Sequence, residues 1–275
     1  MEVFMSEAKY NMMIDTHSHI YDEQFDEDRD ETVSRALEAG VGKILLPAID
    51  RESYEAMFAL SRHYPELCRP MMGLHPTSVN ENPRYKEDLQ LVADYLKCPP
   101  EGIVFCGVGE IGLDLYWNRD YRVEQESALR YQIDLALQYG LPIVLHTREA
   151  WEEMCALLEA YRGTGLRGIV HSFSGTLEHY RFLREIGTFC FGIGGPITYK
   201  KSPVANFLSS MSLDDLVLET DSPYLSPVPY RGKRNESSRL VLICNRIAEL
   251  YGVSPEEIAE RTTRNAIRIF GDRIE

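Results

Sequence analysis

The sequence predicts an α/β protein, a single (β/α)8 barrel, and three observations carry that expectation. Eight short runs rich in Val, Ile, Leu and Phe show little polar alternation, the pattern of parallel strands covered on both faces. A helical or near-helical stretch follows each run, and the strand ends at His19, Ala48, His75, Glu110, His146, His171, Gly194 and Asp221 recur every 23 to 36 residues. The length of 275 residues, with 44% hydrophobic and 26% charged residues, suits one large domain with a real core. A doubly wound open sheet is the alternative, but it normally carries a Gly-rich turn after its first strand, where this chain has histidines. No linker, low-complexity stretch or second core interrupts the pattern. The expected organisation is an N-terminal extension over residues 1–11 and one barrel domain over residues 12–272.

In chain order, Met12 to His19 reads as the first strand, ending in His17-Ser18-His19. Asp26 to Gly40 has Val33, Ala36 and Leu37 at helical spacing and stops at glycine. Lys43 to Ala48 is an apolar strand, Arg51 to Tyr64 an amphipathic helix closed by Pro65, and Arg69 to Leu74 the third strand. Tyr85 to Leu96 is a helix closed by Pro99-Pro100. The fourth strand, Ile103 to Val108, runs on into Gly109-Glu110-Ile111-Gly112-Leu113-Asp114, and a helix from Val123 to Gln138 ends at Gly140. Pro142 to His146, Gly168 to His171 and Thr188 to Ile193 are the next three strands. Helices over Glu149 to Tyr161 and Leu177 to Ile186 follow the first two, and a short segment near Ala205 to Ser210 follows the third. Leu216 to Asp221 is the last strand, and Arg239 to Tyr251 and Glu256 to Phe270 are the closing helices.

Charge and cysteine usage narrow the function classes. A net charge of −14 argues against a protein that coats nucleic acid electrostatically, although bound cations would neutralise a phosphate-ester site locally. Six cysteines without a Cys-x-x-Cys pair read as buried thiols in a reducing compartment. Residues 1–11 lack the apolar core of a signal peptide, and no stretch approaches membrane-spanning length. The expected location is the cytoplasm, with no membrane partner.

In a barrel the C-terminal strand ends face one pocket, and six of the eight here carry His, Glu or Asp. Singly, each has a plain structural reading: His75 as a turn cap, His146 at a helix start, His171 as a core histidine, Glu110 and Asp221 as arginine partners. Jointly they suit a two-cation hydrolase site. His17 and His19 would hold one cation, and His146 and His171 the other. Glu110 would bridge the two, and Asp221 would serve as both ligand and general base. His63 and His179 lie in helices and are expected at the surface.

Several segments resemble the TatD family of metal-dependent deoxyribonucleases. They are Asp15-Thr16-His17-Ser18-His19, Gly73-Leu74-His75-Pro76, Gly109-Glu110-Ile111-Gly112-Leu113-Asp114, Leu145-His146-Thr147-Arg148 and His171-Ser172-Phe173-Ser174-Gly175. Glu219-Thr220-Asp221-Ser222-Pro223-Tyr224-Leu225 and Arg231-Gly232-Lys233-Arg234-Asn235-Glu236 complete the set, and the match is collinear from Met13 to Phe270. The family often has proline where this chain has Ser237 and cysteine where it has Ser172, neither a proposed ligand. The resemblance implies a barrel hydrolase acting on DNA phosphodiesters, as a Mg2+-dependent exonuclease on single-stranded or frayed ends. It places the metal ligands on His17, His19, Glu110, His146, His171 and Asp221.

The expected cofactors are two divalent ions, Mg2+ for activity, with Zn2+, Mn2+ or Ni2+ as alternatives in an imidazole-rich site. DNA is the expected substrate, bound with low affinity by a monomer. His75, Arg231 and Asn235 are candidate substrate contacts, the last two in the basic loop after the final strand. Asp114 is a candidate for orienting a ligand histidine. An amide or ester hydrolase of the wider barrel superfamily is the alternative function. Many such barrels bridge their metals with a modified lysine, and no strand end here carries one. A non-catalytic metal-binding or partner-binding barrel is a third.

Overall fold

The computed structural model describes residues 12–274. The expected extension over residues 1–11 lies outside them. Eight strands form one parallel sheet in sequence order: β1 (Met13–Asp15), β2 (Val41–Leu46), β3 (Cys68–Met72), β4 (Gly107–Asp114), β5 (Ile143–Arg148), β6 (Arg167–Val170), β7 (Thr188–Ile193) and β8 (Leu216–Leu218). The sheet curls into a barrel whose last seam lies beyond the regular strands. Thr16 N–H donates to Leu218 O at 3.0 Å, Asp221 N–H to His17 O at 2.9 Å, and His19 N–H to Ser222 O at 2.7 Å.

Six helices fill the crossovers: α1 (Arg29–Glu38), α2 (Tyr54–His63), α3 (Tyr85–Lys97), α4 (Arg122–Tyr139), α5 (Trp151–Leu158) and α6 (Leu177–Ile186) each follow a strand, β1 to β6 in turn. Only short 3-10 turns, among them Val204–Asn206 and Leu208–Ser210, join β7 to β8. The tail folds as α7 (Leu240–Tyr251) and α8 (Pro255–Phe270). Ser254 caps α8 by accepting from Glu257 N–H at 3.2 Å, with Pro255 at its first position, where the missing N–H costs nothing.

Strand alternation sorts the core into two layers. One residue from or beside each strand, namely Ile14, Leu45, Met71, Cys106, Val144, Ile169, Cys190 and Val217, points inward and packs as a single cluster. Ala266, Ile269 and Phe270 of α8, with Ile274, join that cluster and plug the N-terminal mouth. Burying Phe270 there is worth about 2 kcal/mol. The alternate residues, such as Leu46, Met72, Leu145, Val170 and Phe191, face the helices. The plug leaves only the C-terminal mouth open, and two residues beyond the inward layer stand His146, His171 and Glu219.

Three expectations are corrected. The first strand ends at Asp15, so His17 and His19 are brought together by the closing seam and not by regular alternation. The fourth strand begins at Gly107, with Val104 59% exposed. Between Val108 and Ile111 the β4 register slips against β5, a bulge of the kind that re-aims a side chain beside an active site, and Glu110 sits in it. Of the cysteines, all free, Cys98 is exposed and Cys155 half-buried, while the other four are buried as expected.

Candidate metal centre

Glu110 stands at the middle of the open mouth, and its two oxygens face different partners. Oε2 lies 3.2 Å from His17 Nε2 and 3.8 Å from His19 Nε2. Oε1 lies 2.7 Å from His146 Nδ1, 3.5 Å from His75 Nε2 and 3.8 Å from His171 Nε2. Asp221 Oδ1 closes the first group, 3.7 to 3.8 Å from the Nε2 atoms of His17, His19 and His171. Asp221 adopts a left-handed backbone, φ +57°, which aspartate tolerates better than most residues and which is stored strain at a functional position. His17, His19 and Asp221 form one compact group of donor atoms, and His75, Glu110 and His146 another.

The surrounding hydrogen bonds decide which nitrogen each imidazole presents. Tyr21 spends its only hydroxyl proton on Pro47 O at 2.5 Å, so its contact with His19 Nδ1 at 2.8 Å makes that nitrogen the donor. His19 therefore turns a bare Nε2 toward Glu110 and Asp221, the form a metal ligand needs. Burial holds its ring neutral, pulling it down to about 4, and holds His17 well below the usual histidine range. His75 is the opposite case. Its Nδ1 accepts from Thr77 N–H at 3.2 Å, so the neutral ring offers Nε2–H to the pocket. It is set to donate a hydrogen bond rather than to bind a cation.

His146 lies between two carboxylates, with Asp114 Oδ2 3.0 Å from Nε2 and Glu110 Oε1 on Nδ1. Burial opposes its charge, but the bonds to Asp114 and Glu110 win and raise it to about 9. Burial likewise opposes charge on His171, and Glu219, Glu110 and Asp221 raise it to about 10. Burial pushes the Glu110 carboxyl up, yet the imidazoles of His17, His75 and His171 hold it well below the usual range. Asp221, buried and beside Glu110 and Glu219, is pushed up to about 7 despite His171.

Among the described residues, Glu110, Asp114, Glu219 and Asp221 have only histidines as ion-pair partners, within 4.0 Å. Buried carboxylates need positive charge. Here it comes from imidazole protons or from bound cations, and this donor set fits divalent cations.

Glu219 is a site residue that strand-end reasoning passed over. Fully buried, it accepts from Ser172 N–H at 2.7 Å and lies 3.0 Å from His171 Nδ1, though off the line of a hydrogen bond. The Glu-Thr-Asp run carried the signal, because Glu219 follows inward Val217 by two residues. Asp15 braces the same strand end, accepting from Thr220 N–H at 2.9 Å and Thr220 Oγ1 at 2.6 Å.

The basic loop divides. Asn235 was expected to touch substrate, but it is fully buried. Its Nδ2 donates to Thr220 O at 2.8 Å and its Oδ1 accepts from Glu236 N–H at 3.0 Å, so it is a brace under β8. Arg234 pairs with both oxygens of Asp28 at 2.7 Å. Arg231 is exposed, with its guanidinium 4.7 Å from the Tyr199 ring centroid, and does not line the cavity. His179 is half-buried, not at the surface, and stacks on Trp151 at 4.8 Å.

Above the cluster opens a cavity of about 730 Å³, lined by His19, His75, Glu110, His146, His171 and Asp221 among others, and by no lysine among the described residues. A family model described as TatD related DNase matches residues 14–271. The chain belongs to this family. It is a metal-dependent hydrolase of the TatD type, similar along its length to relatives with that chemistry in their names. It is 35% identical to the uncharacterized metal-dependent hydrolase YabD of Bacillus subtilis (strain 168), over 94% of this chain and 99% of that one. It is 31% identical to the 3'-5' ssDNA/RNA exonuclease TatD of Citrobacter rodentium (strain ICC168), over 94% and 98%. The crystal structure of YjjV, a TatD homologue from Escherichia coli K12, superposes with a TM-score of 0.86 at 30% identity, covering 95% of this chain and 98% of that one.

Proposed function

We propose that this TatD-family enzyme hydrolyses phosphodiester bonds in DNA, removing nucleotides from a single-stranded or frayed end, with two divalent cations held side by side. The observation that carries the reading is Glu110, whose two oxygens each face a separate group of donors. His17, His19 and Asp221 would hold one cation, and His146 and His171 the other, with the Glu110 carboxylate facing both groups. Cations there would polarise a phosphoryl oxygen and offset the charge that develops during hydrolysis.

The chain's own residues supply the rest. Asp221 Oδ1 takes the proton of the attacking water. His75 Nε2–H donates to a phosphate oxygen. Asp114 keeps His146 turned toward Glu110. Arg231, on its exposed loop, meets phosphates of the strand outside the cavity. The mixed imidazole and carboxylate set suits Zn2+, Mn2+ or Ni2+ as bound metal, with Mg2+ supporting activity. Relatives named as exonucleases of single-stranded DNA and RNA support this substrate class. Among the described residues no lysine lines the cavity, which counts against the carbon–nitrogen hydrolase alternative.

The test is a metal-resolved assay on single-stranded DNA labelled at either end, with Mg2+, Mn2+ or Zn2+ added. Stepwise shortening from one end, lost in Glu110→Ala, is the expected result. Intact DNA with every metal, wild type and variant alike, refutes the reading.

A further inference from the structure

The cavity has an aromatic rim that neither the metal cluster nor the core uses. Trp117 is 67% exposed and Tyr116 48% exposed, side by side after β4, and Trp117 lines the cavity wall. Their rings meet edge to face with centroids 4.9 Å apart. The Arg148 guanidinium lies 3.8 Å from the Tyr116 centroid and 5.5 Å from that of Trp117, and it too lines the cavity. Among the described residues Arg148 has no carboxylate partner, so its charge is uncompensated.

This rim is built onto the metal cluster. Arg148 follows His146 by two residues on β5 and shares its face. Leu115 N–H donates to Arg148 O at 3.0 Å. Asp114, whose Oδ2 faces His146, accepts from Tyr116 N–H through Oδ1 at 3.1 Å. One carboxylate therefore sets both a cluster histidine and the start of the aromatic pair.

Two exposed flat rings under a free guanidinium cost solubility and contribute nothing to the core. Their chemistry matches one kind of occupant. Aromatic faces stack nucleobases without regard to sequence, and arginine adds both a phosphate contact and a cation–π face. The mouth lies within an otherwise acidic chain of net charge −14, so an unpaired cation there is selective for an anion.

We propose that Tyr116, Trp117 and Arg148 form a stacking platform for one unpaired nucleobase of the substrate, Trp117 meeting the base and Arg148 the adjoining phosphate. The inference rests on the nucleic-acid reading above and adds a requirement to it. The nucleotide at Trp117 must be out of a duplex, because a paired base has both faces covered by its neighbours in the stack.

The experiment is a cycle between protein and substrate. Steady-state cleavage of a single-stranded oligonucleotide is measured for wild type, Trp117→Ala and Trp117→Phe. It is repeated with an abasic site at each of the last three nucleotides of the degraded end. Loss of one base stack corresponds to roughly a 5- to 150-fold rise in KM. Trp117→Ala is expected to show that rise and Trp117→Phe to recover most of it. An abasic site at one position should penalise wild type by a similar factor and leave Trp117→Ala almost unaffected. Unchanged unfolding temperatures accompany this result, since Trp117 packs against no core. An abasic penalty equal in wild type and Trp117→Ala, or a KM unmoved by the alanine, overturns the platform while leaving the nuclease reading intact. A wild-type enzyme that cleaves no nucleic acid overturns both.

Discussion

Gly192→Ala puts the least possible atom in the most sensitive place. A Cβ at Gly192 would stand 2.0 Å from Glu219 Oε2 and 2.5 Å from its Cδ, so the carboxylate has to move by more than an ångström. Glu219 is fully buried, and its Oε1 holds Ser172 N–H at 2.7 Å and lies 3.0 Å from His171 Nδ1. Overpacking of this kind costs about 1–3 kcal/mol, and a broken buried charge-assisted hydrogen bond costs a similar amount. We expect a loss of about 2–4 kcal/mol in stability. A ten- to a hundredfold weaker hold on metal should accompany it, roughly the effect of losing a partner that orients a ligand. Urea unfolding and metal titration of the same preparation read both. Gly194→Ala is the matched control, because its Cβ would approach nothing closer than 3.6 Å. If the two variants are equally stable and bind metal equally well, Glu219 does not hold Ser172, and with it the neighbouring His171, in place.

Two further outcomes follow from the charges. His146 and His171, raised to about 9 and about 10, are protonated at pH 7, Asp221 at about 7 is half so, and bound cations displace these protons. Calorimetry in buffers of differing ionisation enthalpy should show release of about two to three protons per loaded chain, with affinity rising from pH 6 to 8. Release of none would contradict the assigned charge states. At the surface, the bond from Arg234 holds Asp28 down at about 2, below the value of a free carboxyl. A depressed folded-state value contributes stability above about pH 4 that disappears as pH falls toward 2. The gap between wild type and Asp28→Asn in urea unfolding should therefore close over that window, and a constant gap would refute it.

Much of this could be read from residue order, and the failures have physical causes. Apolar runs and their spacing led to the barrel, because a strand buried on both faces leaves a mark that needs no tertiary knowledge. Glu110, His146, His171 and Asp221 were legible as residues whose chemistry is out of place beside apolar strands. Glu219 was not, since a carboxylate beside Asp221 reads as one more acid until Gly192 is seen to make room for it. The pairing of His17 with His19 rests on hydrogen bonds to residues 218–222, about two hundred positions away, and no local pattern reveals the break after Asp15. Asn235 looked like a substrate contact because a basic loop after a strand end suits phosphate. Only the folded chain shows that Thr220 already holds it.

Whether Glu110 joins two cation sites is read from the metal content per chain, measured after saturation and desalting for wild type and Glu110→Gln. Two ions per wild-type chain and no more than one in the variant, with both proteins folded, are expected. A single ion in wild type, or the same number in both, would show that Glu110 does not join two sites.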